Sequence, residues 1–172
     1  MDVWIGTNYK LSPSRILILG ESWYGDADPL AEYVPWWILK QVRDNTFARV
    51  FNAASGFHTE SASVAQRSGW WNSIAFYNFV PGSVGENRTD RPTRAVFLAA
   101  REPLRAVLEQ LRPNGVWILG KEQTDYSAGV VERLGITFEV TPHPTAYGVA
   151  TRTLADSWAE LVQRARGDRK DA

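Results

Sequence analysis

The chain has 172 residues, a length that fits one domain around a single core, and we therefore expect one domain over residues 1–172. Its 19 Lys and Arg balance its 19 Asp and Glu, so no overall positive field attracts a polyanion, and any contact with nucleic acid must be local. Zero cysteines exclude disulfides, thiolate chemistry and cysteine zinc sites, and two histidines are too few for a transition-metal centre, so we expect no metal and no cofactor.

The first part of the chain predicts a strand, a helix and then irregular structure. Residues 15–20 include a continuous apolar run that is typical of a buried strand. The Asp-Pro pair at 28–29 provides an N-cap and a first-turn proline for a helix over residues 30–43. Residues 45–72 are rich in Ala, Ser and Gly, and we predict them to be irregular apart from one short helix over residues 61–67.

The rest of the chain alternates strands with helices. Further strands are predicted over residues 73–80, 116–119 and 136–140, and helices over residues 91–111, 124–134 and 153–166. Pro103 is expected to break or kink the first of these helices, and Gly135 ends the second. This alternation predicts the α/β class: a three-layer α/β/α sandwich with a central, mostly parallel four-stranded sheet.

Two of the predicted strands run into loops that carry reactive side chains. Glu21 and Ser22 follow the first strand, and His143 lies between two prolines after the fourth. Asn78 stands near the end of the second strand. Because the carboxyl ends of parallel strands meet at one edge of a sheet, these side chains are expected to line a catalytic cleft.

Tryptophan is abundant, with 8 residues in the chain. The doublets Trp36-Trp37 and Trp70-Trp71 are interpreted as packing anchors of the core. Trp23 differs from them because it lies in a polar loop, next to Glu21 and Ser22.

Four segments together resemble the uracil-DNA glycosylase superfamily. They are Gly20-Glu21-Ser22-Trp23-Tyr24-Gly25, Asn78 at the second strand end, Val116-Trp117-Ile118-Leu119-Gly120-Lys121, and His143-Pro144-Thr145. The resemblance implies a four-stranded parallel sheet and an enzyme that flips a nucleotide out of DNA and cuts its N-glycosidic bond.

The first of these segments, residues 20–25, departs from the family pattern. The best-known enzymes have a catalytic aspartate two residues after the loop glycine, where this chain has Ser22, and their next proline is replaced by Trp23. Tyr24 matches their tyrosine, which screens the pyrimidine C5 position. Glu21 resembles the glutamate that directly follows the glycine in the iron-sulfur branch, although the cluster cysteines are absent here. The resemblance therefore indicates a divergent member.

The chemistry of glycosidic cleavage assigns roles to these residues. A developing oxocarbenium sugar needs a carboxylate, and the departing pyrimidine anion needs a hydrogen-bond donor, which suits Glu21 and His143. The Asn78 amide can present both a donor and an acceptor to a pyrimidine edge. An aromatic partner for the base can come from Tyr24, Phe76, Tyr77 or Phe79, and Trp23 can line a pocket for a larger base.

Contacts to DNA are predicted from basic and loop residues. Arg88, Arg91 and Arg94 form a candidate phosphate track, to which Lys121 and Thr145 are added. Tyr147 occupies the place of the side chain that, in the superfamily, wedges into the duplex as the base leaves. We expect DNA as the partner, a monomer, and a cytoplasmic protein without a membrane segment.

Alternative interpretations remain open. Each residue alone also has a structural role available: Glu21 as a helix cap, His143 as a hydrogen-bonded loop residue, Asn78 as a turn residue. Ser22 could be an esterase nucleophile with His143 as its base, although Val140 stands where that family has the aspartate that orients the base. A binding module of the same fold without activity is a further alternative. The base could be uracil or a larger, even glycosylated, pyrimidine, excised in repair or in defence against phage.

Overall fold

The core of the protein is a five-stranded mixed sheet. The computed structural model describes residues 2–25, 29–40, 45–87 and 90–167. In this part of the chain the strands are β1 (Val3–Ile5), β2 (Ile16–Gly20), β3 (Ala75–Asn78), β4 (Gly115–Leu119) and β5 (Thr137–Thr141). Their order in the sheet is β1-β3-β2-β4-β5, and β1 runs antiparallel to β3 while all other neighbours are parallel.

The fifth strand corrects the predicted four-stranded sheet. The four predicted strands are present as β2 to β5, and β1 adds an antiparallel edge to them. β1 has only three residues, which is too short for a recognisable alternation of apolar and polar side chains, so it could not be predicted from the sequence. The Trp4 indole Nε1 donates to the Trp71 carbonyl at 2.9 Å, which ties this edge strand to the layer behind it.

Helices cover both faces of the sheet. They are α1 (Leu30–Lys40), α2 (Asn45–Ser55), α3 (Val64–Trp71), α4 (Arg94–Ala99), α5 (Arg101–Leu111), α6 (Thr124–Arg133) and α7 (Thr151–Gly167), with a 3-10 turn over Tyr9–Leu11. Successive side chains of β2 point to opposite faces. Ile16 and Ile18 join the buried cluster of α1, α2, α3 and α7, while Leu17 and Leu19 join that of α4, α5 and α6. The three-layer α/β/α arrangement is therefore present.

Several helix boundaries differ from the prediction. Residues 45–55 were predicted to be irregular but form α2, which buries Phe47, Val50 and Phe51 on one face. The helix predicted over 91–111 is divided at Ala100, and Pro103 lies in the first turn of α5, where a missing N–H is tolerated. The predicted cap at residue 28 and the helical residues 41–43 lie outside the described residues.

Specific contacts lie at both lateral edges of the sheet. At one edge β1 has only three residues, and the Asp2 carboxylate beside it accepts a hydrogen bond of 2.7 Å from the Leu30 backbone at the start of α1. At the other edge the Arg164 guanidinium of α7 donates to the Phe138 carbonyl of β5 at 2.6 Å and pairs with Glu139. None of the helices in the described ranges is both long and apolar enough to cross a bilayer.

Candidate functional site

The two central strands separate at the carboxyl edge of the sheet. β2 and β4 pair as far as Leu19 and Ile118; beyond that point Gly20 pairs with Asn78 in β3, while Leu119 pairs with Thr141 in β5. The chain runs from β2 to β3 on one side and reaches β4 on the other, which makes this a topological switch point. In open α/β sheets, such a point is where ligands bind.

A cavity of about 720 Å³ opens at this point. The predicted site residues that line it are Glu21, Ser22, Trp23, Tyr24, Phe76, Asn78, Arg91, Lys121, His143 and Thr145. They come from the ends of β2, β3, β4 and β5 and from the segment before α4. The structure thus brings together side chains that are up to 124 positions apart in the sequence, between Glu21 and Thr145.

Glu21 is buried at the end of β2, with 8% of its surface exposed. Its backbone carbonyl accepts a hydrogen bond from Val80 at 2.9 Å, which fixes the loop against the end of β3. Burial raises the pKa of the Glu21 carboxyl above its usual range, and the nearby Glu122 carboxylate raises it further. The Arg91 guanidinium and a hydrogen bond from Tyr24 act in the opposite direction on the same pKa.

Arg91 connects three groups of the site. Its Nη1 donates to the Tyr24 hydroxyl at 2.6 Å and lies 3.6 Å from Glu21 Oε1, and its Nε lies 3.9 Å from Glu122 Oε2. Arg91 is predicted from the sequence to contact phosphate, and in the structure its guanidinium faces two carboxylates inside the cavity. About half of the side chain is exposed, so these ion pairs are screened by solvent.

The Asn78 amide lies against Gly20. A Cβ atom at position 20 would be 2.3 Å from Asn78 Oδ1 and 3.0 Å from Phe76 Cζ, so only glycine leaves room for this side chain. Asn78 is 6% exposed, and within the described residues its amide makes no hydrogen bond. A buried amide that borders a cavity, and that has no partner in the described part of the chain, is suited to bind a ligand that has both a donor and an acceptor.

His143 is held in the loop after β5. The residue that precedes a proline is restricted to extended conformations, and His143 lies between Pro142 and Pro144. Its Nδ1 is 2.9 Å from the Thr145 hydroxyl and accepts the Thr145 backbone N–H at 3.3 Å. Because a backbone N–H can only donate, the proton of the neutral imidazole is assigned to Nε2, which makes Nε2 the donor nitrogen.

Aromatic rings form another wall of the cavity. Trp23 stacks on Phe47 with ring centroids 6.1 Å apart and an angle of 19°, and Phe47 contacts Phe76 at 5.0 Å. Trp23 also meets Tyr33 edge to face at 5.1 Å. Trp23 is therefore half-buried in an aromatic cluster that continues into the core, while it also borders the cavity. A planar ring that enters here meets π faces that are already fixed in place.

Ser22 does not have the geometry of a nucleophile in this structure. Its Oγ is buried and has no hydrogen-bond partner in the described part of the chain. An activated serine needs a base within hydrogen-bond reach, and His143 Nδ1 is instead engaged by Thr145. The loop that carries Ser22 is held by bonds from Gly25 to the Gly85 carbonyl at 2.7 Å and from Val84 to the Trp23 carbonyl at 3.0 Å.

Of the remaining predicted residues, Tyr77, Phe79, Arg94 and Tyr147 do not line the cavity. Phe79 is fully buried on the opposite face of the sheet, where it stacks on Phe97 at 6.0 Å. Arg94 is exposed as the first residue of α4, and Tyr147 is fully exposed in the loop after β5. Arg88 lies outside the described residues.

The structure also adds residues that the sequence analysis did not select. Glu122 places a second carboxylate at the cavity, and Asn45 and Thr46 contribute the first turn of α2. Gly120, at a φ of +113°, directly follows β4 and lies between Glu21 and His143; a Cβ there would lie 3.9 Å from both side chains. The glycine after an apolar run was visible in the sequence, but the role of Glu122 depended on the turn that follows it.

No family model matches the chain, and no curated protein matches it. Within the described ranges, no group of three or more His, Asp or Glu side chains is arranged to hold a metal ion.

Proposed function

We propose that this protein is a DNA glycosylase that flips a nucleotide into the cavity and hydrolyses the N-glycosidic bond of uracil or a modified pyrimidine. The observation that carries the proposal is the convergence of the Glu21 carboxylate, the Asn78 amide and the His143 imidazole on one cavity at the sheet's carboxyl edge. These are the groups that cleavage of a pyrimidine nucleoside requires, and they come from three different strand ends.

In the proposed mechanism, two residues stabilise the two opposite charges that develop on the substrate. As the C1′–N bond breaks, the ionised Glu21 carboxylate stabilises the positive sugar or accepts a proton from the attacking water. His143 donates from Nε2 to the pyrimidine oxygen on which negative charge develops. Asn78 binds the edge of the base and Phe76 offers it a ring face. Because Glu21 acts only when ionised, its raised pKa sets the acidic limit of the reaction.

The size of the cavity supports a flipped nucleotide. At roughly 30 Å³ per non-hydrogen atom, the share of a water molecule in the liquid, a uracil base needs about 240 Å³. The cavity of about 720 Å³ holds that base together with its sugar, or a pyrimidine that carries a substituent. The proposed substrates therefore include uracil and larger modified pyrimidines, among them glycosylated ones, in repair or in defence against phage DNA.

A binding module without activity is the second candidate, and the replacement of the family's catalytic aspartate by Ser22 favours it. The two candidates differ in turnover. Oligonucleotides that contain uracil or modified pyrimidines are incubated with excess protein, and the released base is identified by mass spectrometry. An active glycosylase releases a free base, whereas a binding module retains intact DNA.

The decisive variant is Glu21→Gln, which keeps the side-chain volume and removes the charge. We expect single-turnover base release to fall by roughly 10²-fold or more with DNA affinity retained, which is the scale for loss of a catalytic group. Glu122→Gln is the matched control, because it removes the other carboxylate of the same cavity. Ser22→Ala tests the hydrolase alternative; a greater loss with Ser22→Ala than with Glu21→Gln would exclude the glycosylase mechanism.

A further inference from the structure

The floor of the cavity is the place where β2 and β4 part. Their last paired residues are Leu19 and Ile118, and the backbone groups that follow bond to the outer strands instead. The Gly20 carbonyl accepts from Phe79 at 2.9 Å, and the Gly120 N–H donates to the Thr141 carbonyl at 2.8 Å. The separation ends the hydrogen-bond ladder between the central strands. Buried carbonyls at the branch point then need donors from elsewhere.

One side chain supplies those donors. Gln123 is fully buried, and its Nε2 donates to the Leu19 carbonyl of β2 at 3.3 Å and to the Leu119 carbonyl of β4 at 2.9 Å. A single amide group thus bridges the two strands at the point where they diverge. The residue that carries it stands directly before α6, whose Ser127 hydroxyl donates to the Gln123 carbonyl at 3.0 Å and anchors that turn.

The orientation of this amide is determined by its neighbours. If the amide were flipped, Oε1 would face two carbonyl oxygens. In the observed orientation Oε1 is buried and has no partner within the described ranges. An orphaned acceptor of this kind is unfavourable, and an apolar side chain at 123 would avoid it but would leave both carbonyls unpaired. The bridge therefore accounts for a glutamine at this fully buried position.

We infer that Gln123 is a positioning residue that sets the separation of β2 and β4 and, through it, the placement of Glu21 relative to His143. Glu21 directly follows β2, and Gly120 directly follows β4 and lies next to both side chains. A change in the spacing of the two strands moves these groups relative to each other. The inference rests on the proposed function for its activity readout, and an NMR readout keeps the two separable.

The test compares Gln123→Met with Ser127→Ala. Methionine has a similar volume and shape but no donor, so it removes both bridging bonds, whereas Ser127→Ala removes one buried hydrogen bond of the same turn and keeps the bridge. The titration of Glu21 is followed by NMR on carbon-13-labelled glutamate. We expect Gln123→Met to lower the pKa of Glu21, because the two orphaned carbonyls draw water into the floor, and Ser127→Ala to leave it unchanged.

Activity gives the second readout. Gln123→Met should reduce single-turnover base release by roughly 10²-fold with little change in DNA affinity, because misplacement of reacting groups affects the chemical step. Gln123→Glu keeps one donor in its protonated form, and its rate and Glu21 titration should lie between those of the wild type and Gln123→Met. If Gln123→Met does not fold, Gln123→Glu is compared with the wild type and with Ser127→Ala instead.

Two results would overturn the inference: wild-type Glu21 titration in the folded Gln123 variants, or an equal shift in Ser127→Ala. If the wild-type protein releases no base, the proposed glycosylase function fails, and the Glu21 titration still decides the role of Gln123.

Discussion

Gly20→Ala is a perturbation whose effect follows mainly from one short contact. The added methyl group would lie 2.3 Å from Asn78 Oδ1, whereas ordinary van der Waals contact begins at 3.4 Å. The amide oxygen must therefore retreat by about 1 Å, a displacement large enough to disturb a reacting geometry. The φ of Gly20 lies outside the left-handed region, so alanine brings no backbone strain. The methyl group would also lie 3.0 Å from Phe76 Cζ, so that ring must give by a few tenths of an ångström as well.

The expected losses differ for activity and for stability. A shift of about 1 Å in a group that positions the substrate reduces the rate by roughly 10²-fold. An extra methyl group in a packed region lowers the free energy of unfolding by about 1–3 kcal/mol. Gly20→Ala should therefore remain folded at 25 °C and release base slowly.

Single-turnover base release and urea unfolding measure the two quantities. Gly69→Ala in α3 is the control, because a Cβ there meets no atom within 4 Å and alanine favours the helix. The same Gly20→Ala change is also made in an Asn78→Ala background. There the displaced oxygen is absent and only the milder contact with Phe76 remains, so the added loss of rate should be clearly smaller than in the wild-type background. Fully additive losses would refute the role assigned to the Asn78 amide.

Further predictions concern the charged groups and the exposed loop. Base release needs ionised Glu21, so the acidic limb of the pH–rate profile follows the pKa of Glu21. Glu122 raises that pKa and Arg91 lowers it, so the limb should move to lower pH in Glu122→Gln and to higher pH in Arg91→Gln. Shifts in the opposite directions would contradict these electrostatic effects. Since the pKa of Glu21 is raised by folding, wild-type stability falls as pH rises through the interval between its unfolded and folded pKa values. Glu21→Gln should be the more stable protein above that interval, by about 1.4 kcal/mol per unit of pKa displacement, and urea unfolding at acidic and neutral pH should give no difference below it. His143→Gln should slow the release of a poor leaving base more than that of a good one, and equal loss with both would remove His143 from the donor role. Tyr147→Ala should leave stability within about 0.5 kcal/mol of wild type, because the ring is fully exposed, and should weaken base flipping as reported by 2-aminopurine fluorescence in the duplex.

The sequence was most informative where physical rules leave few choices. An apolar run of strand length followed by a polar loop predicts a buried strand, and parallel strands must place such loops at one edge. This reasoning brought Glu21, Asn78 and His143 to the same cavity. The alternation of side chains along a strand also explains why Phe79 does not line the cavity. Phe79 is two residues after Tyr77, so both side chains face the layer of α4, α5 and α6, whereas Phe76 faces the other layer and the cavity.

Other parts of the structure depend on tertiary contacts that leave a weak local signal. The apolar residues of α2 are few, and their helical spacing at 47, 50 and 51 is diluted by polar neighbours. Glu122 and Gln123 follow a strand end in a polar turn, where solvated residues are the usual expectation. Gln123 is nevertheless fully buried because two strands separate above it, and no local pattern records that separation.

The contacts at the two lateral edges of the sheet have a consequence for self-association. A strand with unpaired backbone groups is a template on which a second copy can add its own strand. Removal of residues 2–5 would uncover the outer side of β3, the strand that ends in Asn78, and would also release the Asp2 contact at Leu30. Arg164→Ala would free the Phe138 carbonyl on the opposite side. We expect either change to favour edge-to-edge association, which light scattering would record as dimers or larger species, and an unchanged molecular mass in both variants would contradict this.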